Sequence, residues 1–319
     1  MAPTVLSTPF TMLLRVAHET CYRYESPVVM AQHLAHLQPV DRPGLQVLTH
    51  SLQIDPQPPQ LRCSLDAFGN VRCHFALATP HEMLTVHADM TVQTEPPQPV
   101  PAGTPWESVV EAFRYRVSVA YNPASEFLFA SPYVARHREL ADFARPLFEP
   151  GRPVLEAASA LMHHIHTEMR YVSGSTGVNT PVLEALAQRK GVCQDFAHLM
   201  IGCLRSLGLP ARYVSGYLLT RPPPGKPRLI GADASHAWVQ AFDPNVGWVD
   251  FDPTNDVQGV ERPSEGHVTL AIGRDFGDVS PLRGVIHGGA NPTLNVAVTV
   301  APPDEFDRMM AAAAAKNPG

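Results

Sequence analysis

Between residues 94 and 105 the chain reads Thr-Glu-Pro-Pro-Gln-Pro-Val-Pro-Ala-Gly-Thr-Pro. Each proline fixes φ and removes an N–H donor, so such a stretch can neither continue a helix nor lie within a central strand. It reads as a stiff linker, and the residue pattern changes across it. Before it, residues 13 to 95 carry short alternating or β-branched runs, Leu48 to Ile54 with His50 among them, Val71 to Leu77 and Leu84 to Val92, separated by Pro and Gly turns. That pattern predicts an antiparallel β domain. After it come helical signals at Glu107 to Tyr115, Val134 to Phe143, Val154 to Arg170 and 181 to 188. In the third of these Ala158, Leu161, Met162, Ile165 and Met169 define a buried face. The expected division is a β unit over 1–100 and an α+β core over 101–319, with a protease-sensitive hinge between them.

At 319 residues the chain is long enough for two cores. Its 33 prolines argue for strands and ordered loops in place of a helical bundle. The net charge is −6, and no basic run exceeds a pair such as Arg189-Lys190, which disfavours nucleic acid and anionic membrane partners. No run approaches the ~18 apolar residues a membrane span needs. The amino terminus lacks a basic n-region, since Arg15 follows the short Met12-Leu13-Leu14 patch, and a cytoplasmic location is expected. The five cysteines, Cys21, Cys63, Cys73, Cys193 and Cys203, suit a reducing compartment. If Phe68 pairs with Val71 across a Gly69-Asn70 turn, Cys63 faces Ala76, so Cys63 and Cys73 need not be a disulfide. There is no internal repeat. Residues 1 to 11 and the Ala-rich tail from Met309 to Gly319 are expected to be poorly ordered, and Leu294 to Val300 alternates like a strand.

Chemistry concentrates in three later segments. From Phe196 the apolar residues fall at Phe196, Leu199, Met200, Cys203, Leu204 and Leu207, one helix face, and Gly208 and Pro210 end the run. The helix then begins near Cys193. There, unpaired N–H groups and the positive end of the helix dipole favour a thiolate, so Cys193 is expected to alkylate faster than the other four cysteines. His236, Trp238, Gln240 and Phe242 alternate with Ala237, Val239 and Ala241 as a strand, and Trp248 to Asp252 reads as its antiparallel partner. If Phe242 pairs with Trp248, Asp252 lies opposite Trp238 and diagonal to His236, ~7 Å apart at Cβ and within reach of a hydrogen bond. Asp250 shares the parity and stands in reserve. A one-residue slip would send both aspartates to the other face. Cysteine, histidine and aspartate so placed are the three parts of a thiol nucleophile.

The runs Gly-Val-Cys-Gln-Asp-Phe-Ala-His from Gly191, Arg-Ser-Leu-Gly-Leu-Pro-Ala-Arg-Tyr-Val-Ser-Gly-Tyr to Tyr217, His-Ala-Trp-Val at His236 and Gly-Trp-Val-Asp-Phe-Asp-Pro-Thr-Asn from Gly247 resemble the transglutaminase-like core of papain-like thiol enzymes. His18 to Val92, with Tyr22 to Val28, Phe68-Gly69-Asn70 and Pro80-His81, resembles the amino-terminal domain of the bacterial members. Ala271 to Phe276 with Val279 to Val285 is similar to the segment after their core. The resemblance implies an α+β fold, a papain-like core preceded by an antiparallel β domain. It implies acyl transfer on a peptide or amide substrate, with Cys193 as nucleophile, His236 as general base and Asp252 as its orienting partner. The oxyanion hole would combine the Cys193 N–H with a side-chain donor, for which Gln188 and Tyr171 are candidates, while Trp238 would wall the site from water.

Hydrolysis is the leading expectation, because no acidic cluster resembles a calcium site. Transfer to an amine, and a non-catalytic scaffold, are the alternatives. No cofactor or metal is expected. His163, His164 and His166 form a histidine cluster on one helix without the further ligands a zinc site needs, and read as solvated. Arg274 and Asp275 either line the site or, the preferred reading, form an ion pair. The Arg221-to-Pro227 loop either edges the cleft or merely connects. The oligomeric state is not set by any pattern in the sequence.

Overall fold

Residues 11–114, 120–220, 230–231 and 235–316 are described by a computed structural model. Residues 1–10, the 221–227 loop and the last three residues lie outside them. The amino-terminal half holds β1 (Met12–Gln38), β2 (Leu45–Asp55), β3 (Leu61–Leu65), β4 (Val71–Leu77) and β5 (His81–Thr94). Helices α1 (Trp106–Ala112), α2 (Arg138–Ala144) and α3 (Val154–Glu168) follow. Next come β6 (Arg170–Tyr171), α4 (Val182–Gln188), β7 (Lys190–Gly191) and α5 (Cys193–Ser206). The remainder is β8 (Ala211–Leu218), β9 (Ser235–Asp243), β10 (Gly247–Asp252), β11 (Val257–Val260), β12 (His267–Gly273), α6 (Phe276–Val279), β13 (Leu282–Gly288), β14 (Thr293–Ala301) and α7 (Pro303–Lys316).

β1 organises the first sheet. Its first half pairs with β5 on one edge and β14 on the other, Arg15 facing both Thr91 and Ala301. Its second half pairs with β4 and β13, Ala31 facing Leu77 and Ile286. The register shifts around Val28, next to Pro27, which has no N–H to give the ladder. The carboxy-terminal strands β13 and β14, expected to extend the core, therefore lie in the amino-terminal sheet. The tail helix α7 follows them, with Phe306 buried and the Arg15 guanidinium 4.4 Å from its ring centroid.

The second sheet is antiparallel, in the order β11-β10-β9-β8-β12. One set of alternating residues, including Ala237, Val239, Ala241, Val249 and Phe251, packs with α3 and α5. α5 is buried all round: Ala197, His198, Ile201 and Arg205 are as enclosed as the predicted apolar face. A helix enclosed on every side must satisfy its polar groups internally. Arg205 accordingly donates to the carbonyls of Phe127, Ala211 and Arg274 and to the Ser131 hydroxyl.

The two sheets share a core in which Tyr217, Val268 and Leu270 pack among Leu14, Val16 and Val86. Asn70 joins them more specifically. Fully buried, it donates from Nδ2 to the Ile272 carbonyl at 2.7 Å and accepts the Ile272 N–H at 2.8 Å, standing in for a strand neighbour. The proline segment is strapped down as well. Glu95 N–H donates to Gly44, Val260 N–H to Gln98 and Thr104 N–H to Asp243. The segment expected to be a hinge is thus hydrogen-bonded at three points along its length.

The β3–β4 turn corrects another expectation. Its strands close at Leu65 and Val71 around a five-residue turn, in which Asp66 Oδ1 accepts the N–H groups of Phe68 and Asn70 at 2.8 and 2.9 Å. The wider turn shifts the register, so Cys63 faces Cys73 instead of Ala76, and the two form a disulfide. Cysteine usage thus gives no support for a reducing compartment. Among the described residues no helix is long and apolar enough to cross a membrane.

Candidate active site

Cys193 is the first residue of α5, where the leading N–H groups lack helical partners. The entry is fixed by Asp195, whose Oδ2 accepts the Val192 N–H at 2.8 Å and the Thr176 hydroxyl at 2.6 Å. Gly191 is required here, since a Cβ on it would stand 2.7 Å from that carboxylate. Cys193 itself is half-buried against the helical core.

The β9–β10 register is the one the sequence predicts, with Trp248 opposite Phe242 and Asp250 opposite Gln240. It sets His236 and Asp252 on one face, with His236 Nε2 2.7 Å from Asp252 Oδ2. Cys193 also acts on this imidazole, helping to raise it. Burial by itself would push His236 down. The Asp252 carboxylate outweighs it by charge and hydrogen bond, and with Cys193 holds the imidazole well above its ordinary range. Asp252 is fully buried, and His236 and His267 together draw it well below the usual carboxylate range despite that burial.

Asp252 is more heavily engaged than the sequence indicated. Its Oδ2 also accepts from His267 Nε2 at 3.0 Å and from Asn255 Nδ2 at 2.7 Å, while Oδ1 accepts the Thr254 and Asn255 N–H groups at 2.9 and 3.3 Å. Asn255 falls in the quoted Asp-Pro-Thr-Asn run, and the Asx-type turn after Asp252 aims it. His267 had only one signal, a histidine heading an otherwise apolar run. Two imidazole nitrogens and a carboxylate oxygen within 4.8 Å also form a donor set for a metal. Ligand atoms around a tetrahedral zinc at ~2.0–2.2 Å stand roughly 3.3 Å or more apart. The 2.7 and 3.0 Å separations at Oδ2 are hydrogen-bond spacings, so protons hold this cluster together.

Trp238 is fully buried, stacked near His236 with centroids 6.0 Å apart, and donates to Asp250 Oδ1 at 2.7 Å. Asp250 also accepts from Gln240, and burial raises it to about 6. The reserve aspartate thus anchors the tryptophan and not the histidine. Tyr171 pairs with Gly191 in the β6–β7 ladder, and burial, with the Cys193 charge, pushes its phenol up. Gln188 is exposed and its amide donates along α4 to Glu184 at 2.8 Å.

Arg274 pairs with Asp278, at 2.8 and 3.0 Å, and not with Asp275. Asp275 is buried, caps α6 through the Gly277 N–H and accepts the Tyr133 N–H. His163 and His166 are also not free in solvent: their Nδ1 atoms contact Asp256 Oδ2 at 2.8 Å and the Thr254 carbonyl at 3.1 Å, bracing the turn that follows Asp252. His164 lies over the Phe143 ring.

A cavity of about 410 Å³ is lined by His18, Tyr22, Val178, Ser235, Phe276 and Leu282 among others. Neither Cys193 nor His236 lines it; its links to them are Ser235, the chain neighbour of His236, and Val178, whose carbonyl accepts the Gln194 amide at 2.9 Å. At its floor His18 bridges the Tyr217 hydroxyl and the Thr20 hydroxyl, each at 2.9 Å.

Comparison with known proteins places these features in a group. Residues 141–253 match the transglutaminase-like superfamily, and residues 14–93 match the bacterial transglutaminase-like N-terminal region. An uncharacterized protein of Mycobacterium tuberculosis strain H37Rv is 39% identical over 313 residues, covering 94% of this chain and 97% of that one. A protein-glutamine gamma-glutamyltransferase of Pseudomonas aeruginosa is 32% identical over 143 residues, 41% of this chain and 21% of that protein. Among solved structures, that of "a Putative Cysteine Protease from Cytophaga hutchinsonii" superposes with a TM-score of 0.68 at 24% identity, covering 93% of each chain. The fold is papain-like.

Proposed function

The chain belongs to the bacterial transglutaminase-like family, and on that premise we propose that it is a thiol enzyme cleaving peptide or amide bonds through a Cys193 thioester. The observation that carries this reading is the imidazole of His236, 2.7 Å from Asp252 and raised by the influence of both Asp252 and Cys193. A cationic imidazole beside the sulfur favours the thiolate, which attacks the carbonyl. His236 then gives its proton to the leaving amine, and Asp252 keeps the ring oriented and stabilises its charge. The helix-terminal N–H of Cys193 and the Tyr171 hydroxyl are the proposed oxyanion donors, in preference to Gln188, whose amide is held by Glu184. The acyl side of the substrate is assigned to the cavity bordered by Val178 and Ser235.

Transfer to an amine is the second reading, favoured by the likeness to the Pseudomonas glutamyltransferase over 143 residues. The test is to incubate the protein with glutamine-containing peptides, with and without a primary amine, and weigh the products by mass spectrometry. Free acid alone indicates hydrolysis, and an amine adduct indicates transfer. Product formation equal in the protein and its Cys193→Ala variant overturns both.

A further inference from the structure

β12 is buried along its whole length, and a histidine within it must have both ring nitrogens satisfied to be tolerated there. His267 meets that condition. Its Nε2 stands 3.0 Å from Asp252 Oδ2 and its Nδ1 2.7 Å from the Ser264 hydroxyl, at 1% exposure. Because an ionised carboxylate only accepts, Nε2 carries the ring proton, which leaves Nδ1 as a lone pair for the Ser264 O–H. The tautomer is therefore fixed from the side remote from Asp252.

Two imidazoles thus share one carboxylate oxygen, but they are driven apart. His236 is held protonated by Asp252 and Cys193. Burial first, and then the charge of His236, keep His267 below the ordinary imidazole range, against the pull of Asp252. The titratable groups facing His267 are Asp252 and His236, with Ser264 and the Trp238 ring completing its surroundings. His267 reaches this position because β8 carries Gly216 opposite both His236 and Thr269. A side chain there would meet the Val268 carbonyl and come within 2.6 Å of the Trp238 ring.

We infer that His267, locked by Ser264 as a neutral Nε2–H donor, is a positioning residue that holds Asp252 Oδ2 ionised and directed at His236. The inference rests on the reading of Cys193 and His236 as a thiolate–imidazolium pair. Neutrality is essential to the role: a second cation on Oδ2 would compete with His236 for the same charge, whereas a neutral donor supports the carboxylate without displacing its partner. Asn255 supports the same oxygen from the loop, so Oδ2 has two donors besides His236.

The experiment is iodoacetamide alkylation of Cys193 in the full chain, followed by peptide mass spectrometry near pH 6 and near pH 9. The reading underneath is checked by His236→Ala, which must slow alkylation near pH 6. If it does not, the thiolate–imidazolium pair is absent, and that reading falls whatever His267 does. Given that control, His267→Phe removes the donor and should slow the reaction near pH 6 by about tenfold, the effect of one hydrogen bond to a charged group, while leaving the rate near pH 9 unchanged. His267→Gln, whose Nε2–H can reach the same oxygen, should recover most of the loss. A folded His267→Phe with the wild-type profile overturns the inference, as does a folded His267→Gln no faster than His267→Phe. If the Phe variant does not fold, Ser264→Ala decides: slower alkylation near pH 6 sustains the inference and the wild-type profile overturns it.

Discussion

Replacing Asp252 with Asn tests the proposed chemistry where its electrostatics are most concentrated. An amide has one oxygen, whereas the carboxylate accepts three bonds at Oδ2 and two at Oδ1. With the amide oxygen at the Oδ2 site, the NH2 group faces the N–H groups of Thr254 and Asn255. In the other orientation it faces His236, His267 and Asn255 Nδ2. The first orientation is cheaper and loses two bonds, roughly 3 kcal/mol of stability at ~1.5 kcal/mol for each bond to a charged group. The loss of negative charge acts on the chemistry. Two unit charges ~4 Å apart at an effective dielectric constant of ~20 interact by about 4 kcal/mol, so the imidazolium beside Cys193 becomes about a thousandfold scarcer. Thiolates of higher basicity are better nucleophiles, which returns part of that factor. Alkylation of Cys193 in the variant should therefore be roughly 100-fold slower near pH 6, converging with the parent above pH ~9, where an ordinary thiol ionises unaided. Stopped-flow or quenched iodoacetamide kinetics with peptide mapping measures this. Superimposable profiles between pH 5 and 8 would refute the charge argument.

Three further outcomes are expected. His33 is buried against Phe75 with neither ring nitrogen hydrogen-bonded, and burial, with the His81 charge, lowers it from 6.5 to about 4. The unfolded chain therefore takes up the proton first. The contribution of this group is intact above its unfolded value and is lost as pH falls towards 4, amounting to about 2 kcal/mol at pH 5. His33→Phe should lose that much less stability than the parent between pH 8 and 5 by urea unfolding, and an equal loss in both would sink the argument. Asn70→Ala strands the Ile272 N–H and carbonyl between the two sheets and should cost roughly 2–5 kcal/mol; a urea midpoint unchanged from the parent would mean the side-chain bridge is dispensable. Finally, limited proteinase K digestion of the native protein should spare residues 94–105, and early cleavage there would restore the hinge that the strapping hydrogen bonds argue against.

The parts of the fold that were legible in the sequence are those with a local period. The start of α5 at Cys193 follows from one apolar stripe and its Gly208 and Pro210 stop, and the β9–β10 register follows from alternation on both strands about a short loop. What alternation does not carry is partnership between distant strands. β14 reads correctly as a strand, but its pairing with β1 is decided by which edge remains open after β5 has taken the other. The Cys63–Cys73 register turned on an acceptor, Asp66, that widened the turn; the sequence offered the residue but not the choice. Arg274 is a different case, because Asp278 stands four residues on and the helical spacing was visible, yet adjacency drew attention to Asp275.

The candidate site divides along the same line. Cys193, His236 and Asp252 each lie on an element with a strong local signature, so their meeting could be argued from a register and a helix start. Trp238 was expected only to wall the site from water; its indole is anchored by Asp250, the residue held in reserve for the histidine. His267 arrives from β12, two strands away from β9 in the sheet order, past a glycine whose importance lies only in the side chain it lacks. His163 and His166 brace the Asp252 turn from α3, an arrangement set by helix packing and by no spacing in the chain. The residues of the proposed triad were thus encoded locally, while the groups that hold them in position come from wherever the tertiary fold brings a donor to a buried carboxylate. A buried charge demands that supply, since Asp252 without its surrounding donors would take up a proton in place of stabilising one on His236.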